Sequence, residues 1–294
     1  MYNKVRSKYE GNITVFTQEE AMRKLKQREI SEFRNTVYSY FDEHERSLPW
    51  RETSDPYYIL VSEIMLQQTQ VNRVIGKYRE FIKAFPTVTA LHIAPQSEAL
   101  AVWSGLGYNR RALSLKKAAA MIVEKFEGSL PSTVEELSSL PGIGHPTAAA
   151  IAAYAYNEPV AYIETNIRTV YIHHFFTDAE SVSDKEILPL VEQTIDRENP
   201  RRWYSALMDY GVMLKASNPN PGRRSTHHVK QSKFEGSDRQ IRGAVLRILT
   251  INSGMSEKEL IAEIDREEDR CIQILSQLEV EGFLIRKNGS ISLK

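Results

Sequence analysis

The 294-residue sequence predicts an all-α chain that ends in a winged-helix-like α+β domain. Three observations carry this. Apolar residues recur at helical spacing through most of the chain up to Leu214. One turn, Leu140-Pro141-Gly142-Ile143-Gly144, breaks that periodicity before a small-residue run from Ala148 to Ala155 resumes it. Strand signals are confined to Phe283–Arg286 and Ile291–Lys294, which flank an Asn288-Gly289 pair of the kind that makes type I′ hairpins.

Composition sets the outer bounds. Apolar content of 41% and charged content of 26% describe an ordinary globular protein, long enough for two or three cores. No run of about 18 apolar residues marks a membrane span. Met1 to Arg28 is polar and lacks an apolar signal core, so a cytoplasmic location, at the nucleoid of a bacterium or archaeon, is expected. The single cysteine, Cys271, excludes an intramolecular disulfide and any site built from several thiolates. The formal net charge of zero argues against indiscriminate binding to nucleic acid but leaves room for local basic faces.

Taken in order, residues 1–29 form an N-terminal extension, and helix is expected over 17–46, with Phe33, Val37, Tyr40 and Phe41 on one face. Pro49 ends it. Asp55 caps the next helical stretch and Pro56 suits its first turn. One or two helices cover Tyr57–Phe85. Within them Glu63 sits among Ile59, Leu60, Ile64 and Met65, directly before Gln67-Gln68-Thr69-Gln70. A connector and a helix fill 87–103. Gly105-Leu106-Gly107-Tyr108-Asn109 is a turn with an aromatic at its tip. Arg110–Lys125 is a helix whose basic first turn opposes its own dipole unless an external anion lies nearby. Thr133 and Glu136 form a capping box for a helix over 133–140. Further helices are expected at 167–176, 184–197 and 202–214. The stretch 217–237, rich in Pro, Gly, Ser and basic residues, reads as a linker. Helices at 241–251, 256–264 and 267–281 then precede the hairpin, so 238–294 forms a separate winged-helix-like unit.

The turn at 140–144 is a helix–hairpin–helix candidate, and its two Gly leave bare amides beside a helix N-terminus, where an anion such as a DNA phosphate is favoured. Glu164 ends the apolar run Val160–Ile163, an unusual place for a charge. Taken alone, the turn is an ordinary helix–turn, and Glu164 a dipole-favoured helix N-terminal acid with Arg168 as its partner.

With these residues assembled, the chain resembles the helix–hairpin–helix (HhH-GPD) DNA glycosylases, and among them the MutY-type adenine glycosylase branch. The motifs are LPWR at 48–51, SEIMLQQTQV at 62–71, GLGYNRRA at 105–112, LPGIGHPTA at 140–148 and Glu164-Thr165-Asn166. The resemblance covers about residues 30–215. It implies a six-helix barrel over 51–158, and a second helical domain from 30–50 plus 159–216, with a DNA cleft between them. It implies a monofunctional enzyme of base-excision repair that hydrolyses the N-glycosidic bond of a flipped base, most readily adenine in a mismatch. Glu63 matches the family's general acid, and Glu164 takes the place of its catalytic Asp. Gln68 and Tyr108 match residues that enter the base stack. Arg110, Gly142, Gly144, His145, Thr147 and Asn166 complete the expected contacts to double-stranded DNA. A monomer is expected, with no membrane partner.

This sequence departs from the family in four ways. Glu164 is one methylene longer than Asp. Pro146 lacks the hydroxyl found in the adenine enzymes and the amine that a lyase needs. The segment directly after the helix ending near Leu214 has no cysteine, and Cys271 alone cannot hold a four-cysteine iron–sulfur cluster, so neither that cluster nor another cofactor is expected. The C-terminal unit is not the family's β-rich lesion-reading domain. Its Arg266, Arg270, Arg286 and Lys287 point to added DNA affinity, with protein docking as the alternative. A glycosylase for uracil, mismatched thymine or a damaged base, and a non-catalytic DNA-binding protein, also remain open at this stage.

Overall fold

The computed structural model describes residues 24–216, 219–229 and 233–294. Most of the extension over 1–29, and the start of the helix expected from residue 17, lie outside them. Helix α1 spans Gln27–His44 and buries Phe33, Val37 and Phe41, the face read from the sequence. A 3₁₀ turn at Pro49–Arg51 leads to α2 (Pro56–Leu66), where Asp55 accepts from the Tyr57 and Tyr58 amides and Pro56 takes the first turn. Then follow α3 (Val71–Ala84), α4 (Val88–Ile93), α5 (Gln96–Trp103), α6 (Arg110–Lys125), α7 (Val134–Ser139) and α8 (His145–Tyr156). The stretch 87–103 holds two short helices rather than one, because Pro95 cannot continue the first. Together α2–α8 enclose one apolar core that includes Leu60, Ile64, Phe81, Trp103, Leu115 and Ile151.

The chain then returns to α1. Helices α9 (Thr165–Phe175), α10 (Asp184–Thr194) and α11 (Pro200–Ala216) pack with it around Phe33, Tyr171, Trp203 and Tyr204. Phe33 meets Tyr171, Phe175 and Trp203 edge to face, with centroids 4.9–5.7 Å apart. Buried Asp209 of α11 receives the Arg46 backbone amide at 3.0 Å, the Arg46 guanidinium, and two Arg51 nitrogens at 2.8 Å. Burial alone would raise its pKa, but these four donors hold it below the usual carboxylate range.

The expected linker is only partly one. Residues 219–229 pack on α9 through a 3₁₀ turn at Pro221–Arg224. Val182 N donates to Arg224 O at 2.9 Å and Thr226 N to Val182 O at 3.0 Å. The Arg224 guanidinium donates to the carbonyls of Ile172, Phe176, Thr177 and Ala179, in the last turn of α9 and just beyond it. A Cβ at Gly222 would come within 2.5 Å of Thr169 Oγ1, so the close approach requires glycine. The composition that reads as a flexible connector therefore belongs to the second helical domain.

The C-terminal unit has α12 (Asp238–Ile251), β1 (Met255–Ser256), α13 (Glu257–Ile264), α14 (Glu268–Val280), β2 (Leu284–Lys287) and β3 (Ser290–Leu293). Its antiparallel sheet runs β1-β3-β2, and Asn288 and Gly289 both take positive φ in the β2–β3 turn. The short β1 was not foreseen; two residues are too few for a period-2 signal. Nor does the unit stand apart. Its apolar core is continuous with that of the barrel, α12 lies against α5, and Gln96 Nε2 donates to Gly282 O at 2.7 Å. Three of the four cations expected to meet DNA are paired within the protein: Arg286 with Glu257 and Glu279, Arg266 with Glu235, and Arg270 with Asp238. No helix among the described residues is long and apolar enough to cross a membrane.

Candidate active site

Two carboxyl groups meet where the two helical domains adjoin. Glu63 comes from α2 of the barrel, a helix with apolar residues nearly all round, including Leu60, Ile64 and Met65. Burial, and then the charge of Glu164, push its pKa from the ordinary 4.5 up to about 8. At neutral pH it carries a proton. Glu164 comes from the second domain as the N-cap of α9, and its carboxylate accepts from the amides of Asn166 and of Ile167, the latter at 2.9 Å. Burial raises its pKa as well, but the two amides, Lys215 and Arg168 oppose that rise by favouring the anion. Two acids of one type thus acquire different tasks. One is a proton donor in an apolar wall. The other is a carboxyl group anchored by donors that favour its anion and so oppose the rise that burial causes.

The surroundings of Glu164 correct one expectation and reveal one support. Arg168 does not pair with it, but makes a two-pronged ion pair with Asp184 at 2.6 and 2.7 Å. Asn166 turns inward. Its Nδ2 lies 3.3 Å from Glu164 Oε2, and its Oδ1 accepts from Lys215 Nζ at 3.2 Å. Asn166 thus supports the carboxylate from its amide side. Gly211 makes this possible, since a Cβ there would come within 2.7 Å of Asn166. Sequence reasoning missed Lys215 and Gly211; a glycine inside the helical pattern of α11 was the available signal.

Two phenols complete the acid pocket. Tyr154 on α8 and Tyr162 on the strand-like run before Glu164 both feel the charge of Glu63, and burial raises both pKa values above the usual phenol range. Tyr162 packs against Tyr204 with centroids 4.4 Å apart, and its Oη is buried beside Tyr154 without a well-formed hydrogen bond.

The loop residues come together around a side chain that the sequence did not single out, Arg111. It is 9% exposed, and burial lowers its pKa to about 10. Nη1 donates to the carbonyls of Ile64, Met65 and Gln67 at 2.5–2.9 Å. Nη2 donates to Thr69 Oγ1 at 2.9 Å and Gly107 O at 3.1 Å, and Nε to Tyr108 O at 3.3 Å. One guanidinium therefore ties the turn that carries Gln68 to the turn that carries Tyr108. Both residues have φ in the left-handed region, 55° and 48°, a conformation that the surroundings must enforce in a residue with a side chain. Gln68 is exposed and Tyr108 half-buried.

The hairpin lies at the N-terminus of α8. Leu140 and Ile143 anchor it in the core while Gly142, Gly144 and His145 are exposed. Gly142 has φ of 81°, and a Cβ there would strike Ser114 at 2.5 Å. Gly144 is the N-cap and offers no side chain, so the first amides of α8 are left to an external acceptor. Thr147 joins the hairpin to the acid helix, as Gln67 Nε2 donates to its Oγ1 at 3.3 Å. Arg110, expected on DNA, makes a two-pronged pair with Glu281 at 2.6 and 2.9 Å, and its side chain stays largely exposed. The anion that its helix position demands is supplied from within the chain.

No cluster of His, Cys, Asp or Glu among the described residues suits a metal ion. An iron–sulfur cluster of the kind found in the family needs four thiolates. The chain has one, Cys271, buried in α14, and the residues after α11 do not fit such a group.

Comparison with known proteins agrees with this geometry. Residues 61–193 match the family model of the HhH-GPD superfamily base excision DNA repair proteins. An adenine DNA glycosylase of Buchnera aphidicola subsp. Baizongia pistaciae is 37% identical over 193 residues, 64% of this chain and 54% of that protein. The chain thus spans about half the length of that relative. An adenine DNA glycosylase of Mycolicibacterium smegmatis is 33% identical over 230 residues, 72% of this chain and 78% of that protein. Among solved structures, a thermostable thymine-DNA glycosylase superposes with a TM-score of 0.59 at 25% identity, over 66% of this chain and 91% of that one. With the matched span containing Glu63, Tyr108, the hairpin and Glu164, the chain belongs to the HhH-GPD superfamily of base excision DNA repair proteins.

Proposed function

We propose that the protein is a monofunctional DNA glycosylase that removes adenine from mismatched double-stranded DNA, acting as a monomer on chromosomal DNA and without an iron–sulfur cluster. The observation that carries this reading is the different setting of the two carboxyl groups: Glu63 lies in an apolar helix, and Glu164 is held by the Asn166 and Ile167 amides. A purine anion is a poor leaving group, so the ring must be protonated as the bond breaks. Glu63, protonated at neutral pH, gives that proton to a ring nitrogen of the flipped base. The departing electron pair leaves an oxocarbenium-like sugar, which the anchored Glu164 carboxylate stabilises. Water then adds to the anomeric carbon and returns its proton to Glu63. The products are free adenine and an abasic site.

The remaining residues supply grip and access. The amides of Gly144, His145 and Thr147 suit a DNA phosphate at the positive end of α8. Gln68 and Tyr108, on turns held by Arg111, fill the stack after the base is extruded, which offsets part of a cost of a few kcal/mol. Adenine is favoured over other bases by the names of the relatives, at 33–37% identity. Thymine is the second reading, because the solved neighbour at 25% identity is a thymine-DNA glycosylase and Pro146 lacks a hydroxyl for the purine. A panel of duplexes, each carrying one mismatched or modified pair, separates the two. Abasic sites only where adenine opposes guanine or 8-oxoguanine support the first reading; abasic sites at G·T establish the second.

A further inference from the structure

The C-terminal unit reaches the base-probing turn itself. Arg239, in the first turn of α12, donates from Nη1 to Tyr108 Oη at 3.2 Å. The Arg111 guanidinium lies over the same ring, 5.5 Å from its centroid. The contact is built rather than incidental, because Glu281 fixes both sides of it. That carboxylate binds Arg110, two residues after Tyr108, and also Arg242, one turn after Arg239. The two guanidinium partners hold its pKa near about 2, so it stays charged across the working range. Gln96 and Gly282 add a further fastening between the same two bodies. Glu281 sets the distance between α12 and the turn, and Arg239 uses that distance to meet the phenol tip.

We propose that Arg239 is a positioning residue for Tyr108, and that the C-terminal unit acts in base extrusion by fixing the pose of this ring. The proposal rests on the reading that Tyr108 enters the base stack. Tyr108 sits on a turn with φ of 48°, and two guanidinium groups reach its ring. Arg111 selects the plane of the ring from its face, and Arg239 selects its direction from its tip. A side chain held ready for insertion loses less conformational freedom when the base leaves, so extrusion is faster.

The test uses the full chain and a duplex with 2-aminopurine beside the target adenine, which reports extrusion, followed by single-turnover excision. Arg239→Ala should slow both about tenfold on a paired target. On a target opposite an abasic site, where extrusion costs little, excision should return to within about twofold of the parent rate. Tyr108→Phe removes only the acceptor oxygen and should match Arg239→Ala. The double variant should be no slower than either single one, as expected of two groups acting through one contact. Equal slowing on both targets would mean that Arg239 merely supports the fold, and additive effects would mean that it does not act through the phenol; either overturns the proposal. Tyr108→Ala tells apart the two ways of failing. If it extrudes the base at the parent rate, the role of Tyr108 in the stack is wrong. If it is slow while Arg239→Ala is normal, only the positioning role is lost.

Discussion

Glu63→Gln separates two consequences of burying one carboxyl group. In the fold the group titrates near about 8, against the ordinary 4.5. A raised folded pKa means that its contribution to stability is fully present below about pH 4.5 and is lost as pH rises through about 8. Gln keeps the shape and never ionises, so the variant escapes the loss. Each tenfold step in proton affinity is worth about 1.4 kcal/mol. The variant should therefore gain less than about 1 kcal/mol at pH 5, about 3 kcal/mol at pH 7 and about 5 kcal/mol at pH 9. At about 2–4 °C per kcal/mol, the rise in Tm at pH 7 is about 6–12 °C. Excision should meanwhile fall by at least about 10²-fold, because an amide has no proton to give. In the parent protein kcat/KM should decline above about pH 8, where Glu63 loses that proton. Thermal scans and single-turnover excision from pH 5 to 9 measure both effects. A variant no more stable than the parent at pH 8, or one that excises at near the parent rate, would refute the reasoning.

Other expectations bear on the same site. Lys215→Met removes the cation that favours ionised Glu164 and the donor to Asn166, so the rising acid limb of the pH–rate profile should move to higher pH. Excision should drop about tenfold at pH 6 and less at pH 8; equal losses at both would show that Lys215 acts by packing alone. Product DNA should hold intact abasic strands until alkali is added, because Pro146 offers no amine nucleophile. A covalent adduct trapped by borohydride contradicts that. Elemental analysis should find no stoichiometric iron or sulfide in purified protein, since one cysteine cannot hold a four-ligand cluster.

The helical elements were legible because their apolar spacing and their Pro and Gly boundaries are local properties. Glu63 was legible for a related reason: a charge inside an apolar stripe has few uses. Arg111 was not. Beside Arg110 at the start of an amphipathic helix it reads as another surface cation, and only the folded chain brings the carbonyls of Ile64, Met65 and Gln67 to it. The internal partners of Arg110 and Asn166 are equally hidden from the sequence, because Glu281 and Lys215 lie far along the chain. The 219–229 stretch failed as a linker for the same reason, since its order comes from Arg224 reaching carbonyls at 172–179.

Helix α11 has a further consequence for catalysis. The approach to α2, and so to Glu63, is fastened to α11 by Arg51 on Asp209 and by Arg201 on the carbonyls of Arg51 and Thr53. The helix capped by Glu164 lies along α11 as well, with Asn166 seated on Gly211 and Lys215 reaching back to it. Both carboxyl groups are thus referenced to one rod, although they belong to different domains. The gap between proton donor and anion behaves like the opening of a caliper whose jaws share a single beam. A substitution that bends that beam is therefore expected to alter the gap, even at a position on α11 that never meets the base.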